Sequence, residues 1–132
     1  MRILVINYEY PPIGGGGGFV TRDILEYMAE QGHHITLITS RFKKLKKYEN
    51  VNGVIIHRVH AIFRNKIETA SMPSMLSYLP ASIFAALYKY SGGEFDIINT
   101  HFAIPSGPAG CVIGKLWKVP NVLSIHGGDI FD

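Results

Sequence analysis

Apolar residues fall into five short runs separated by stretches of helical period. Residues 3–6 (ILVI) form the first run. Its length and β-branched content predict a strand buried on both faces, as in a parallel sheet. Pro11 and Pro12 end it, and five glycines follow at 14–18. Val20, Ile24, Leu25 and Met28 then recur at helical spacing, with Arg22, Asp23, Glu26 and Glu30 on other faces. Gly32 stands where a helix C′ glycine belongs. Residues 35–39 (ITLIT) read as the second strand, which makes strand, glycine-rich turn, helix and strand a βαβ crossover. A third strand is predicted at 54–59 (VIIHRV). Residues 61–79 show no clear period and read as loop with a short helix. Pro80 suits the first turn of a helix over about 81–90, which stops at Gly92-Gly93. Residues 95–99 (FDIIN) and 122–125 (VLSI) are the fourth and fifth strands. Between them 105–118 holds a helix, with Ser106 as N-cap, Pro108 in the first turn, and Val112 and Leu116 on one face. The fold class predicted is α/β, a Rossmann-like parallel sheet with helices on both faces.

Composition narrows the class. The chain has 132 residues, 47% hydrophobic and 17% charged, which suits one globular domain. A net charge of +3 requires neither nucleic acid nor membrane, and no nucleic-acid partner is expected. Cys111 is the single cysteine, so no intramolecular disulfide forms, and this fits a reducing compartment. Residues 1–7 lack the features of a signal peptide, and no stretch has the roughly 20 apolar residues of a membrane span. A cytoplasmic location is the expectation. The sequence stops just past the loop after the fifth strand, as expected for part of a larger protein.

Three segments carry unusual residues beyond the carboxyl ends of strands, where doubly wound sheets bind ligands. The first is residues 8–18, whose glycines allow close backbone approach and present N–H groups at a helix N-terminus, suiting a phosphate. The alternative is a loop that is glycine-rich for flexibility alone. A dinucleotide fingerprint fails on spacing, because Phe19 stands where the third glycine should be. No acidic residue ends the second strand; Arg41 there keeps an NADP reading open. A P-loop fails too, since no lysine follows the glycines.

The second segment, 99–107, carries His101, able to bind, orient or shuttle a proton, or to cap the next helix. The third, 124–129, carries His126, Gly127, Gly128 and Asp129 toward the same crevice. Convergence of three strand ends is a stronger sign than any one of them. His33 and His34 lie in the turn before the second strand, at the opposite edge, and His57 and His60 belong to the third strand. None has a partner at metal-ligand spacing, and no metal site is assigned. Trp117, Tyr88 and Tyr90 read as packing residues. The basic run at 41–47 reads either as a solvated loop or as a peripheral membrane contact. In the latter, Arg41, Lys43, Lys44, Lys46 and Lys47 meet anionic lipid at the inner membrane face, with Phe42 and Leu45 in the interface.

Several of these pieces together resemble the large retaining glycosyltransferase family called group 1 or family 4. They are residues 1–6 leading to Tyr10-Pro11-Pro12 and the glycines, Gly32-His33, Asp96-Ile97-Ile98 before Thr100-His101, and Ser124 to Asp129. The resemblance implies two Rossmann-like domains facing a cleft, the GT-B arrangement. Residues 1–132 would be the amino-terminal, acceptor-side half, without the carboxyl-terminal domain that binds a nucleotide-sugar donor. It implies Gly15 and Gly16 near the donor diphosphate, and His126 hydrogen-bonding the donor sugar near the transferred carbon as the catalytic residue. His101 would line the acceptor side, with Gly127 and Asp129 in the substrate crevice. It implies no cofactor and no metal, the nucleotide sugar being a substrate, and an acceptor that is a sugar or lipid-linked. The glycine run is longer than the family's usual pair, which leaves open which glycines make contact. Two other readings stand beside it: an NADP-type oxidoreductase domain, resting on Arg41, and a non-catalytic interaction module of the same fold.

Overall fold

A computed structural model describes residues 1–13, 16–42, 45–61 and 72–126. Strands β1 (Arg2–Ile6), β2 (His34–Arg41), β3 (Tyr48–Val51), β4 (Val54–His60), β5 (Ile97–His101) and β6 (Asn121–Ser124) form one sheet. Their order is β3-β4-β2-β1-β5-β6. All neighbours run parallel except β3 against β4. The described helices are α1 (Gly16–Glu30), α2 (Met72–Lys89) and α3 (Ser106–Trp117).

Period-two alternation explains the continuous apolar runs. Leu4, Ile6, Ile38 and Ile98 face one side and bury against Tyr78 and Ala86 of α2 and Ala109 and Ile113 of α3. Ile3, Val5, Ile35 and Leu37 face the other side with Leu25 of α1. Both faces are therefore covered, as expected of a parallel sheet. Each buried Leu or Ile side chain contributes about 1.5–3 kcal/mol. From β1 the chain builds outward through β2 and β4, then returns to lay β5 on the other flank of β1. This reversal opens a crevice beyond the carboxyl ends of β1 and β5.

Several local expectations are corrected. Strand β3 was not expected; it pairs with β4 through a two-residue turn, Asn52 (φ 51°) and Gly53 (φ 86°). Positive φ at both positions is what an Asn-Gly hairpin turn supplies. Pro80 lies inside α2, not at the start of a helix. It leaves the Leu76 carbonyl without its usual intrahelical donor, and burial of Tyr78, Ser82 and Ala86 on the sheet side offsets that loss. Ser106 is not an N-cap. It is the first residue of α3, buried, and its hydroxyl accepts from the Tyr8 amide at 3.0 Å.

Helix faces are shifted as well. In α1 the buried residues are Gly18, Thr21 and Leu25, while Val20 and Ile24 are exposed. The glycines let the helix start sit so close to the chain that a Cβ on Gly18 would stand 3.3 Å from the Ile13 carbonyl oxygen. In α3 the buried stripe is Ser106, Ala109, Gly110, Ile113 and Gly114, and Val112 and Leu116 face outward. Gly32 does close α1 as expected, with φ +93°. Its amide reaches Ala29 O (3.1 Å) and the His33 amide reaches Met28 O (3.2 Å). Trp117 stacks on Phe95 at 6.0 Å and Tyr90 packs against Phe95 at 5.7 Å, whereas Tyr88 is 94% exposed and packs on little.

Candidate functional site

Strand β5 carries Asn99 and His101 two residues apart, on the same face as Ile97, which packs toward α1. The Asn99 amide is oriented by β6. Its Nδ2 donates to Val122 O (3.0 Å) and to Ser124 Oγ (3.1 Å). A carbonyl oxygen can only accept, so the Asn99 nitrogen is identified, and Oδ1 is the atom 2.7 Å from His101 Nε2. His101 must then carry its proton on Nε2, leaving Nδ1 as an acceptor. His126 Nε2 lies 3.2 Å from that Nδ1 and is the donor that fits it. Thr21 Oγ1 is also within 3.5 Å of Nδ1. The threonine proton, however, is committed to Gly17 O at 2.8 Å, and its oxygen accepts from Asn7 Nδ2 at 3.0 Å. The relay from β6 through Asn99 and His101 thus fixes His126 as the Nε2–H form. Its Nδ1 remains an acceptor while the ring is neutral.

Electrostatics keep the ring neutral, as this proton order requires. His101 is 1% exposed. Burial, with the His126 ring adding to it, pushes its pKa down to about 4, so it is neutral at physiological pH.

Phe102 holds the other side of the pair. It follows β5 with φ +72°, a left-handed conformation uncommon for a bulky side chain. Its amide donates to Ser124 O at 2.9 Å, and its ring lies 4.3 Å from the His126 ring at 28°. The same ring covers Gly17 so closely that a Cβ there would overlap it. A Cβ on Gly16 would meet nothing within 4 Å. The glycines therefore differ in kind. Gly17 and Gly18 are small because neighbours crowd them, whereas Gly16 opens onto space at a helix start whose first N–H groups lack intrahelical acceptors.

The structure thus gathers His101, His126 and the Gly16–Gly17 turn at one crevice. Gly15, Gly127 and Asp129 lie outside the described residues. Sequence reasoning missed Asn7, Thr21, Asn99 and Phe102. The period of two linking Asn99 to His101 was a usable signal; the Thr21 contact comes from another element and left none. His33 Nδ1 meets the amino terminus at 3.0 Å, and His57 lies buried between Tyr48 and Tyr90. Among the described residues no three His, Cys, Asp or Glu side chains group to hold a metal. None of the described helices is long and apolar enough to cross a membrane. Arg41, on which the NADP reading rests, donates Nε to Leu45 O at 2.7 Å.

Comparison with known proteins places the chain's sequence in one family. The model described as Glycosyltransferase Family 4 matches residues 14–131. An uncharacterised glycosyltransferase of Methanocaldococcus jannaschii is 29% identical over 98% of this chain and 32% of its own length. A putative teichuronic acid biosynthesis glycosyltransferase of Bacillus subtilis is 46% identical over 98% of this chain and 37% of its own. A D-inositol 3-phosphate glycosyltransferase of Paenarthrobacter aurescens is 30% identical over 89% and 30%. The chain spans about a third of the length of these curated relatives. A sucrose-phosphate synthase structure from Thermosynechococcus elongatus shares the fold, with TM-score 0.65, 16% identity, and coverage of 98% of this chain and 65% of that one.

Proposed function

The chain belongs to glycosyltransferase family 4, and from that premise we propose that it is the amino-terminal, acceptor-side half of a retaining enzyme. This enzyme transfers a sugar from a nucleotide-sugar donor to a sugar or lipid-linked acceptor. The observation that carries the reading is the His101–His126 pair, proton-ordered by Asn99 and set beside the open Gly16 turn. In it, His126 Nδ1 accepts a hydrogen bond from a donor-sugar hydroxyl near the transferred carbon. As the bond from that carbon to the diphosphate breaks, the leaving group takes the electron pair. N–H groups at the start of α1, Gly16 among them, stabilise that growing charge. The acceptor oxygen bonds to the same carbon and passes its proton to the departing diphosphate oxygen. His101 lines the acceptor side, and Gly15, Gly127 and Asp129 belong to the same crevice. The reading calls for no metal and no cofactor.

The carboxyl-terminal donor-binding domain belongs to the proposal, as does a cytoplasmic location with peripheral contact at the inner membrane face. In that contact Arg41, Lys46 and Lys47 meet anionic lipid; Lys43 and Lys44, assigned the same role, lie outside the described residues. The test is to express the open reading frame that contains this chain and to follow nucleoside diphosphate release from uridine, guanosine and adenosine diphosphate sugars. Release that is lost in a folded His126→Ala variant supports the reading. Release undiminished by that variant, or none from any donor and acceptor pair, rules it out. The anomeric configuration of the product, read by NMR, decides retention.

A further inference from the structure

Helices α2 and α3 lie side by side on one face of the sheet, where Tyr78, Ala86, Ala109 and Ile113 share one core. The opposite sides of the same helices are turned to solvent and are apolar. On α2, Leu76, Pro80, Phe84 and Leu87 recur every three or four residues along the exposed side, with Tyr88 beside them. Phe84 is 72% exposed and Tyr88 94%. On α3, Val112 and Leu116, one turn apart, are exposed in the same way. Exposed apolar residues scattered singly need no explanation, but a continuous stripe marks a contact.

Charge defines the kind of contact. Residues 72–91 and 105–118, which carry both helices, contain no aspartate or glutamate. They contain three lysines, Lys89, Lys115 and Lys118. None of these pairs with a carboxylate among the described residues. The lysines collect at one end of the layer, because Gly92, just past α2, lies against Trp117 in the last turn of α3. Helix α1, on the other face of the sheet, is the opposite case. It too exposes Phe19, Ile24 and Tyr27, but among Asp23, Glu26 and Glu30. A surface of anionic headgroups is repelled by those carboxylates and attracted by the lysines of α2 and α3. An apolar helix face with lysines beside it and an exposed tyrosine at its edge has the composition of a face that lies in a bilayer interface.

We infer that the outer face of the α2–α3 layer docks onto an anionic lipid bilayer. Phe84, Leu87, Tyr88 and Leu116 enter the interface, while Lys115 and Lys118 meet headgroup phosphates. The inference rests on the peripheral contact proposed above, and assigns the apolar part of that contact to α2 and α3. Both helices start beside Tyr8, beyond the carboxyl end of β1, through Ser74 and Ser106. The crevice is at that end of the layer and the lysines at the other, so docking leaves the crevice open.

The experiment is sedimentation of the 132-residue chain with lipid vesicles, with far-UV circular dichroism to show that each variant keeps the fold. Binding is expected to vesicles that mix phosphatidylglycerol with phosphatidylcholine, and about tenfold weaker binding to phosphatidylcholine alone. F84S is expected to weaken binding about tenfold, and K115Q about fivefold. Y27S, on the acidic face, should leave it unchanged. Y88S repeats the test if F84S does not fold. Failure to bind the phosphatidylglycerol vesicles overturns the inference. So does binding unmoved by F84S and K115Q but lost in K46Q/K47Q, which places the contact on the basic run and leaves the peripheral reading standing. A dimer in sedimentation velocity that F84S dissociates overturns it as well, since a second copy then covers this face.

Discussion

Asn99 holds His101 in one tautomer: 2.7 Å separates Oδ1 from Nε2, and the amide cannot turn over without losing its donation to Val122 O. The finding concerns a proton, so it is measurable as one. Long-range ¹H–¹⁵N spectra of the histidine rings are expected to show His101 neutral with the proton on Nε2 at pH 7. In Asn99→Leu the ring should sample both forms, at a stability cost of about 1–3 kcal/mol for the buried donor left unmet. A His101 proton on Nδ1 in the unaltered chain would contradict the whole relay, including the assigned form of His126.

Two buried histidines tie stability to pH. His57 and His101 both have folded pKa values of about 4, against about 6.5 in an unfolded chain. A depressed folded value means that the unfolded state binds the proton first. The stabilisation is therefore complete above about pH 6.5 and is lost as pH falls to about 4, to a limit of about 3 kcal/mol per histidine. Lys47, Lys89, Tyr48 and Tyr90 surround His57, and His126, Asn99 and Thr21 surround His101. Asp96, held below the usual carboxylate range by its hydrogen bonds to Arg2, adds its own loss only below that window. Urea midpoints at pH 7, 5.5 and 4.5 should fall steadily, and His101→Gln should show about half the decline. A profile flat across that range would mean that neither ring is buried neutral.

How much of this was legible in the sequence depended on the kind of signal. The strands of the parallel sheet were, because a run such as 3–6, buried on both faces, has no other economical reading. Gly32 was, since positive φ at a helix end needs it. The helix faces were legible only in part. Apolar spacing pointed to Leu25 and Met28, which do pack into the core, but also to Val20, Ile24, Val112 and Leu116, whereas close packing selected small residues, Gly18 and Thr21 in α1 and Gly110 and Gly114 in α3. Hydrophobicity does not register a contact made by the lack of a side chain. Pro80 misled for a related reason, since its local preference for a first turn yielded to the tertiary packing of α2. His101 and His126 were found by their place at the carboxyl edge of the sheet, His101 ending β5 and His126 following β6, but their hydrogen bond, and the Asn99 and Thr21 contacts that order it, required the folded geometry.

That distinction between crowded and open glycines makes a mutational contrast. A Cβ on Gly110 would overlap Thr100 Oγ1 and stand 3.0 Å from Thr100 Cβ, both fixed on a central strand. Gly110→Ala is expected to destabilise by about 1–3 kcal/mol, the cost of overpacking. Gly16→Ala meets nothing within 4 Å, and in a helix the change should be neutral or gain up to about 1 kcal/mol. Thermal unfolding of both variants reads the difference. If Gly16→Ala is as damaging as Gly110→Ala, then Gly16 is a packing glycine, and its assignment to the ligand-facing turn fails.

The two tyrosines that follow β1 should respond in opposite directions to loss of the hydroxyl. Tyr8 and Tyr10 are 1% and 4% exposed and enter the two opposite cores of the sheet. The Tyr8 hydroxyl lies 2.6 Å from Ser74 Oγ. The Tyr10 hydroxyl is buried without a hydrogen-bond partner among the described residues. Burial, with Glu26 adding to it, pushes its phenol well above the usual range, so it stays protonated and cannot relieve the cost by ionising. An unmet buried hydroxyl is a net cost, while a met one contributes about 1 kcal/mol. Tyr8→Phe should therefore destabilise by about that amount, and Tyr10→Phe should be neutral or stabilising by up to about 1 kcal/mol. The urea midpoints of the two variants at pH 7 settle the matter. A loss on Tyr10→Phe equal to that on Tyr8→Phe would mean that a partner reaches the Tyr10 hydroxyl, and that this tyrosine is hydrogen-bonded as well as buried.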